Sequence, residues 1–159
     1  MDYIEPQYHQ ILIRLADEGV EFIGVGMVAA ILQGVPLATM DLDIVHRRTP
    51  QNVERLIRVL ADLDAVARGD PRHLRPNATH LLGPGHILLK TRFGDFDCLG
   101  TIDYDDLLPA TISLEFEGRR FRFLHLREIV AIKKRAGRAK DLAAIPYIEA
   151  AIDEIERQQ

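Results

Sequence analysis

The chain has 159 residues, 47% of them hydrophobic and 28% charged, with a net charge of −4. That length suits one domain, and the apolar fraction allows a sizeable core and excludes an intrinsically disordered chain. No apolar run approaches the roughly eighteen residues of a membrane helix, the N-terminal MDYIEPQYHQ lacks the order of a signal peptide, and the acidic balance excludes a surface given over to nucleic acid, so a cytoplasmic protein with no membrane partner is expected.

Residues 6–18 carry Ile11, Leu12 and Leu15 at helical spacing and run into Gly19, which predicts a first helix. Val20 to Val25 is a short apolar run ending in Gly-Val-Gly, and Met27 to Leu32 has helical composition closed by Gly34, giving a strand, a tight turn and a helix. Asp41 to Val45 alternates polar and apolar residues at the strand period. Thr49-Pro50 then starts an amphipathic helix whose expected buried stripe is Val53, Leu56, Ile57, Leu60 and Leu63. From Arg68 to Pro84 the pattern dissolves into Pro, Gly, His and Asn and reads as a loop without regular structure. His86 to Arg92 and Phe96 to Leu99 read as strands turning at Gly94-Asp95, and Thr111 to Phe116 and Arg120 to Leu124 as a hairpin turning at Glu117-Gly118. These imply a meandering sheet. Leu126 to Ala136, ended by Gly137, and about 139–157 form a closing helical pair, so the core spans about 20–125 and the C-terminal helices about 126–158 of a single domain. Cys98, the lone cysteine, lies among apolar neighbours and is expected to be a buried, inert thiol.

Chemistry concentrates at Asp41 and Asp43, two carboxylates one residue apart on a strand and hence on one face. They repel unless a cation joins them, and hard divalent ions such as Mg²⁺ favour this kind of oxygen pair together with substrate phosphates. A solvated strand face would show the same spacing. Gly24 and Gly26, about fifteen residues upstream, let backbone N–H groups approach a phosphate, although a plain turn would also use them. Asp97 stands in a second apolar strand and is the better third ligand, with Asp95 nearer the expected turn. Three carboxylates and a phosphate-facing turn are the parts of two-metal phosphoryl or nucleotidyl transfer. No two of the six histidines have metal-ligand spacing, and His46 is expected at the surface or a strand end. Arg68, Arg72, His73 and Arg75 would line an acceptor site or a solvated loop.

The order strand, Gly26-Met27, short helix, Asp41-Leu42-Asp43 and a later Asp97 resembles the nucleotidyltransferase fold shared with DNA polymerase beta. Gly34-Val35-Pro36-x-Ala38-Thr39-x-Asp41-Leu42-Asp43, with the late Lys134-x-x-Gly137-Arg138-x-Lys140-Asp141-Leu142, looks most like small stand-alone bacterial members related to abortive-infection and toxin–antitoxin nucleotidyltransferases. The resemblance spans roughly 20–145 and implies an α/β (α+β) domain, a mixed sheet flanked by helices with a C-terminal helical pair. It implies Asp41, Asp43 and Asp97 as ligands of Mg²⁺, two ions during turnover with Mn²⁺ as a substitute, and Asp97 as the carboxylate on the acceptor side. It implies a nucleotide held by the backbone of Gly26 and Met27, by Thr39, and by Lys133, Lys134, Arg138 and Lys140, while Asp141 reads as a helix-start or ion-pair residue. Basic residues ending a helix also favour its dipole without any ligand.

The implied activity moves a nucleoside monophosphate from an NTP to a hydroxyl of RNA, protein or a small molecule. Met27 replaces the usual small residue after the glycine, and Leu37 stands where relatives carry a basic residue. Both departures keep open a degenerate interaction module, an antitoxin or regulatory subunit with a cognate toxin or antitoxin partner. A phosphodiesterase using the same carboxylates with water as acceptor is a third reading.

Overall fold

A computed structural model describes residues 6–159, within which seven strands and seven α-helices form. The strands are β1 (Phe22–Val25), β2 (Asp41–His46), β3 (Val66–Ala67), β4 (Ile87–Thr91), β5 (Gly94–Cys98), β6 (Thr111–Phe116) and β7 (Arg119–Leu124). The helices are α1 (Tyr8–Asp17), α2 (Gly26–Leu32), α3 (Pro50–Asp62), α4 (Ala78–Leu82), α5 (Tyr104–Leu107), α6 (Leu126–Ala136) and α7 (Ala139–Arg157). Among the described residues no helix is long and apolar enough to cross a membrane.

One mixed sheet runs in the order β3-β4-β5-β2-β1-β7-β6. The hairpins β4–β5 and β6–β7 and the helix-linked pair β1–β2 are antiparallel, but they are spliced by two parallel pairings, β2 with β5 and β1 with β7. The sheet is therefore not the expected meander. Parallel neighbours need long crossovers, and α3 with the β3–β4 region supplies the one that places β5 beside β2. Alternation then sorts the strands' two faces. Leu42, Ile44, Phe96 and Cys98 are fully buried on one side, whereas Asp41, Asp43, Asp95 and Asp97 share the other.

Local chemistry sets most helix ends. Thr49 caps α3 by accepting from the Asn52 N–H (3.3 Å) with Pro50 in the first turn, and Gly137 ends α6 with φ 66 while donating to the Lys133 carbonyl (2.9 Å). Ile57 is only partly buried. Val59 and Asn52 take its place in the α3 core face, because Asn52 turns inward to accept from the Glu21 N–H (2.7 Å) and to donate to the Glu21 and Arg47 carbonyls (2.9 Å each). Buried amides with that many partners fix where a helix docks.

Further local expectations are corrected. The 68–84 segment is not structureless: α4 lies in it, capped by Asn77, which accepts from the His80 N–H (2.9 Å), and anchored by buried Leu81. His46 is at a strand end but buried at 3% exposure, and its Nε2–H donates to the Leu81 carbonyl (2.7 Å), so it pins α4 to β2; burial pushes its pKa down and keeps it neutral. The β4–β5 turn sits at Arg92-Phe93, two residues earlier than Gly94-Asp95. Thr91 closes it, donating from Oγ1 to the Gly94 carbonyl (2.6 Å) and accepting from the Phe93 N–H (3.1 Å), which leaves Asp95 inside the strand. Cys98 is buried, and burial drives its thiol pKa upward, as expected of an inert thiol.

Candidate functional site

Parallel pairing of β2 with β5 places Asp41 opposite Asp95 and Asp43 opposite Asp97. Four carboxylates thus stand in two facing pairs on one patch of sheet. Asp97 is the most enclosed, at 5% exposure. Burial, and after it the charges of Asp97 and Asp41, pushes the Asp43 carboxyl up to about 7, with Arg68 pulling weakly the other way. Asp95 is also raised, first by burial and then by Asp41 and Asp97, against the opposing charges of Arg68 and Lys90. Arg68 answers the crowding directly: Nη1 donates to Asp97 Oδ1 (2.7 Å) and Nη2 to Oδ2 (3.1 Å). No group of three His, Cys, Asp or Glu side chains among the described residues is arranged to hold a metal ion. Asp41 and Asp43, which open on a cavity, offer a divalent ion the hard oxygen donors it prefers, and their mutual crowding is what such an ion relieves.

That cavity, about 510 Å³, lies between the sheet and the α6–α7 pair. It gathers most residues singled out from the sequence: Gly26, Met27, Thr39, Asp41, Asp43, Lys133, Arg138 and Lys140 all line it. Gly26 has φ +68, and a Cβ there would come within 2.5 Å of Asp43 Oδ2, so only glycine lets α2 begin against that carboxylate. Gly24 has a different cause; a Cβ would run into the Phe123 ring, which makes it a packing glycine between β1 and β7. Thr39 orders the chain before β2, its Oγ1 accepting from the Asp41 N–H (3.4 Å) and its carbonyl from the Tyr8 hydroxyl.

The cationic corner of the cavity is organised by Asp141, buried in the first turn of α7. Lys133 Nζ donates to its Oδ1 (3.2 Å), and Arg138 donates from Nε to Oδ2 (2.6 Å) and from Nη2 to Oδ1 (3.3 Å). Burial works against the Asp141 charge, but the hydrogen bonds from Arg138 and Lys133 prevail and hold its pKa below the ordinary carboxylate value. Asp141 is thus an ion-pair residue at a helix start. Lys134 lies outside the cavity lining and pairs with Glu149 (3.5 Å). Asp97 also lies outside the lining, behind Asp43.

Of the arginine-rich loop, only Arg68 reaches the carboxylates; Arg72 pairs with Asp70 (2.9 Å), Arg75 with Asp64 (3.6 Å), and His73 is exposed. The apolar wall of the cavity, including Leu37, Ile102, Ile129, Ile132 and Tyr147, had no signal in the sequence beyond helical spacing on α6. Leu37 packs against the core there, so the position expected to be basic serves as wall.

No protein-family model matches the sequence, and no curated protein matches it. Solved structures do. A candidate nucleotidyltransferase from Thermotoga maritima superposes with a TM-score of 0.58 at 18% identity, over 91% of this chain and 93% of the other. The lincosamide antibiotic adenylyltransferase LnuA, bound to lincomycin, gives 0.64 at 14% identity over 91% and 95%, and the antibiotic-resistance factor ANT(2'')-Ia gives 0.58 at 12% over 95% and 90%. At such identities the likeness is one of fold, and the fold of this chain is that of the nucleotidyltransferases.

Proposed function

We propose that the chain transfers a nucleoside monophosphate from an NTP to a hydroxyl acceptor. The observation that carries this reading is that one cavity joins the Asp41–Asp43 pair, the backbone at Gly26 and Met27, and the Lys133–Arg138–Lys140 corner. A triphosphate needs positive charge and N–H donors along its length, and groups of both kinds line this one cavity. The apolar wall, with Leu37, Ile129, Ile132 and Tyr147, suits the nucleoside end. Asp97 adjoins Asp43 from the next strand and completes the acidic set. A divalent ion such as Mg²⁺ held by Asp41 and Asp43 would supply the charge neutralisation that lets pyrophosphate leave. LnuA is a lincosamide antibiotic adenylyltransferase, which favours a small-molecule acceptor over RNA or protein for this chain as well.

Calorimetric titration of the four NTPs with and without Mg²⁺, on the native chain and on Asp41→Asn/Asp43→Asn, tests the site. Ion-dependent binding that weakens at least about tenfold in the variant is expected. Equal binding by both proteins would remove the carboxylates from the site, and no binding to the native chain would turn the assignment toward a non-catalytic interaction module.

A further inference from the structure

Asp97 is the third carboxylate that a two-ion centre would need, yet both its oxygens already face a fixed cation. Arg68 meets it with the bidentate fork described above, 2.7 and 3.1 Å. The same Nη1 donates to the Leu89 carbonyl (3.0 Å), and Nε lies 3.8 Å from Asp95 Oδ2. The guanidinium is therefore seated on β4 and β5 by three separate groups and does not hang from solvent. Its planar head meets both carboxylate oxygens at once, while the permanent charge that competes with an ion is one that a lysine would also supply. A divalent ion approaching Asp97 would have to displace Arg68 or sit beside a like charge on the same carboxylate. Among the described residues, no Lys or Arg stands at ion-pair distance from Asp41 or Asp43, so of the four carboxylates on this patch those two are the pair without a fixed cation.

We infer that Arg68 is a positioning residue holding the place of a second cation: it claims Asp97 and leaves the Asp41–Asp43 pair to bind a single divalent ion. The inference rests on the nucleotidyl-transfer site proposed above and departs from the two ions that the resemblance implies. Asp97 then acts through its neighbours, fixed by Arg68 against Asp43, and is not itself an ion ligand.

Titration of the whole chain with Mn²⁺, read by the paramagnetic resonance of the free ion, tests this on four proteins: native, Arg68→Gln, Arg68→Lys and Arg68→Gln/Asp97→Asn. The native chain is expected to bind one ion. Arg68→Gln should gain a second ion or bind the first about tenfold tighter, within the range that partners of ligating carboxylates contribute. Restoring the charge in Arg68→Lys should return the count to one. The double variant, which replaces the part-buried ion pair with neutral amides, should bind one ion with native affinity, and it decides the matter should Arg68→Gln alone fail to fold. Two ions on the native chain, an Arg68→Gln curve that superimposes on the native one, or a double variant weakened tenfold would overturn the role given to Arg68 and leave the proposed function standing. No Mn²⁺ bound by any of the four would remove the Asp41–Asp43 site and both readings with it.

Discussion

Asp43 pays for its position in the sheet at neutral pH, because it is partly buried beside two other carboxylates and its proton is held up to about pH 7. The ordinary value for such a group is 3.8, so between those limits the folded chain keeps a proton that the unfolded chain has released. The stability this contributes is complete below the lower limit and is lost as pH rises through about 7. Asp43→Asn removes the titrating group while keeping its shape. In urea melts without divalent ions, the stability of the native chain relative to Asp43→Asn should fall as pH is raised from about 4 to about 7, by no more than about 1.4 kcal/mol per pH unit for one proton. Parallel pH profiles would mean that Asp43 is not crowded. At this scale the sequence was informative in part: Asp-x-Asp on a strand tells which face both side chains take, and Asp97 follows from the same alternation. Arg68 could not be found that way. Its partner is 29 residues distant, and it follows a strand only two residues long, too short to show any period.

Among the elements, the corner between α6 and α7 bears most directly on the cavity. Gly137 makes the turn, and Asp141 then gathers Lys133 and Arg138 onto one buried carboxylate. Lys133 is enclosed, with 13% of its side chain exposed, whereas the Arg138 side chain is 65% exposed, so loss of Asp141 leaves chiefly Lys133 as an uncompensated buried charge. Asp141→Ala should therefore cost about 3 kcal/mol, most of it at Lys133. The urea midpoint should move accordingly, while Lys134→Ala, whose partner Glu149 is a surface residue, should change it by less than about 1 kcal/mol. Equal effects would show that the corner is solvated in solution. Both helices were legible because glycine and the apolar spacing punctuate them. The five-residue α4 was not, since a single turn gives no periodicity, and its Asn77 cap sits among Pro, Gly and His residues that read as loop. The hydroxyl of Thr91 shifted the β4–β5 turn for a similarly local reason, closing the loop before the glycine that marked it in the sequence.

Over the whole molecule, the cavity exists because distant segments converge. Gly26 and Met27 follow β1, Asp41 and Asp43 come from β2, and Lys133 to Tyr147 from the last two helices, all set on one sheet whose parallel pairings have no local signature. The hairpins could be read from turn residues; the splicing of β5 against β2, which faces Asp97 toward Asp43, could not. Such a cavity makes a regional prediction. A ligand that binds only the folded chain stabilises it by about 2.7 kcal/mol at a hundred times its Kd, and local opening of the segments it touches is suppressed most. Hydrogen exchange with a non-hydrolysable NTP analogue and Mg²⁺ should slow in α2 and across the α6–α7 corner. The β6–β7 hairpin contributes only Leu124 to the cavity and should exchange as before over 111–119. Protection confined to the hairpin would place the ligand elsewhere. Slowing in α6 and α7 without α2 would separate the cationic corner from the carboxylates, because phosphate held by Lys133, Arg138 and Lys140 would then not reach the backbone of Gly26 and Met27.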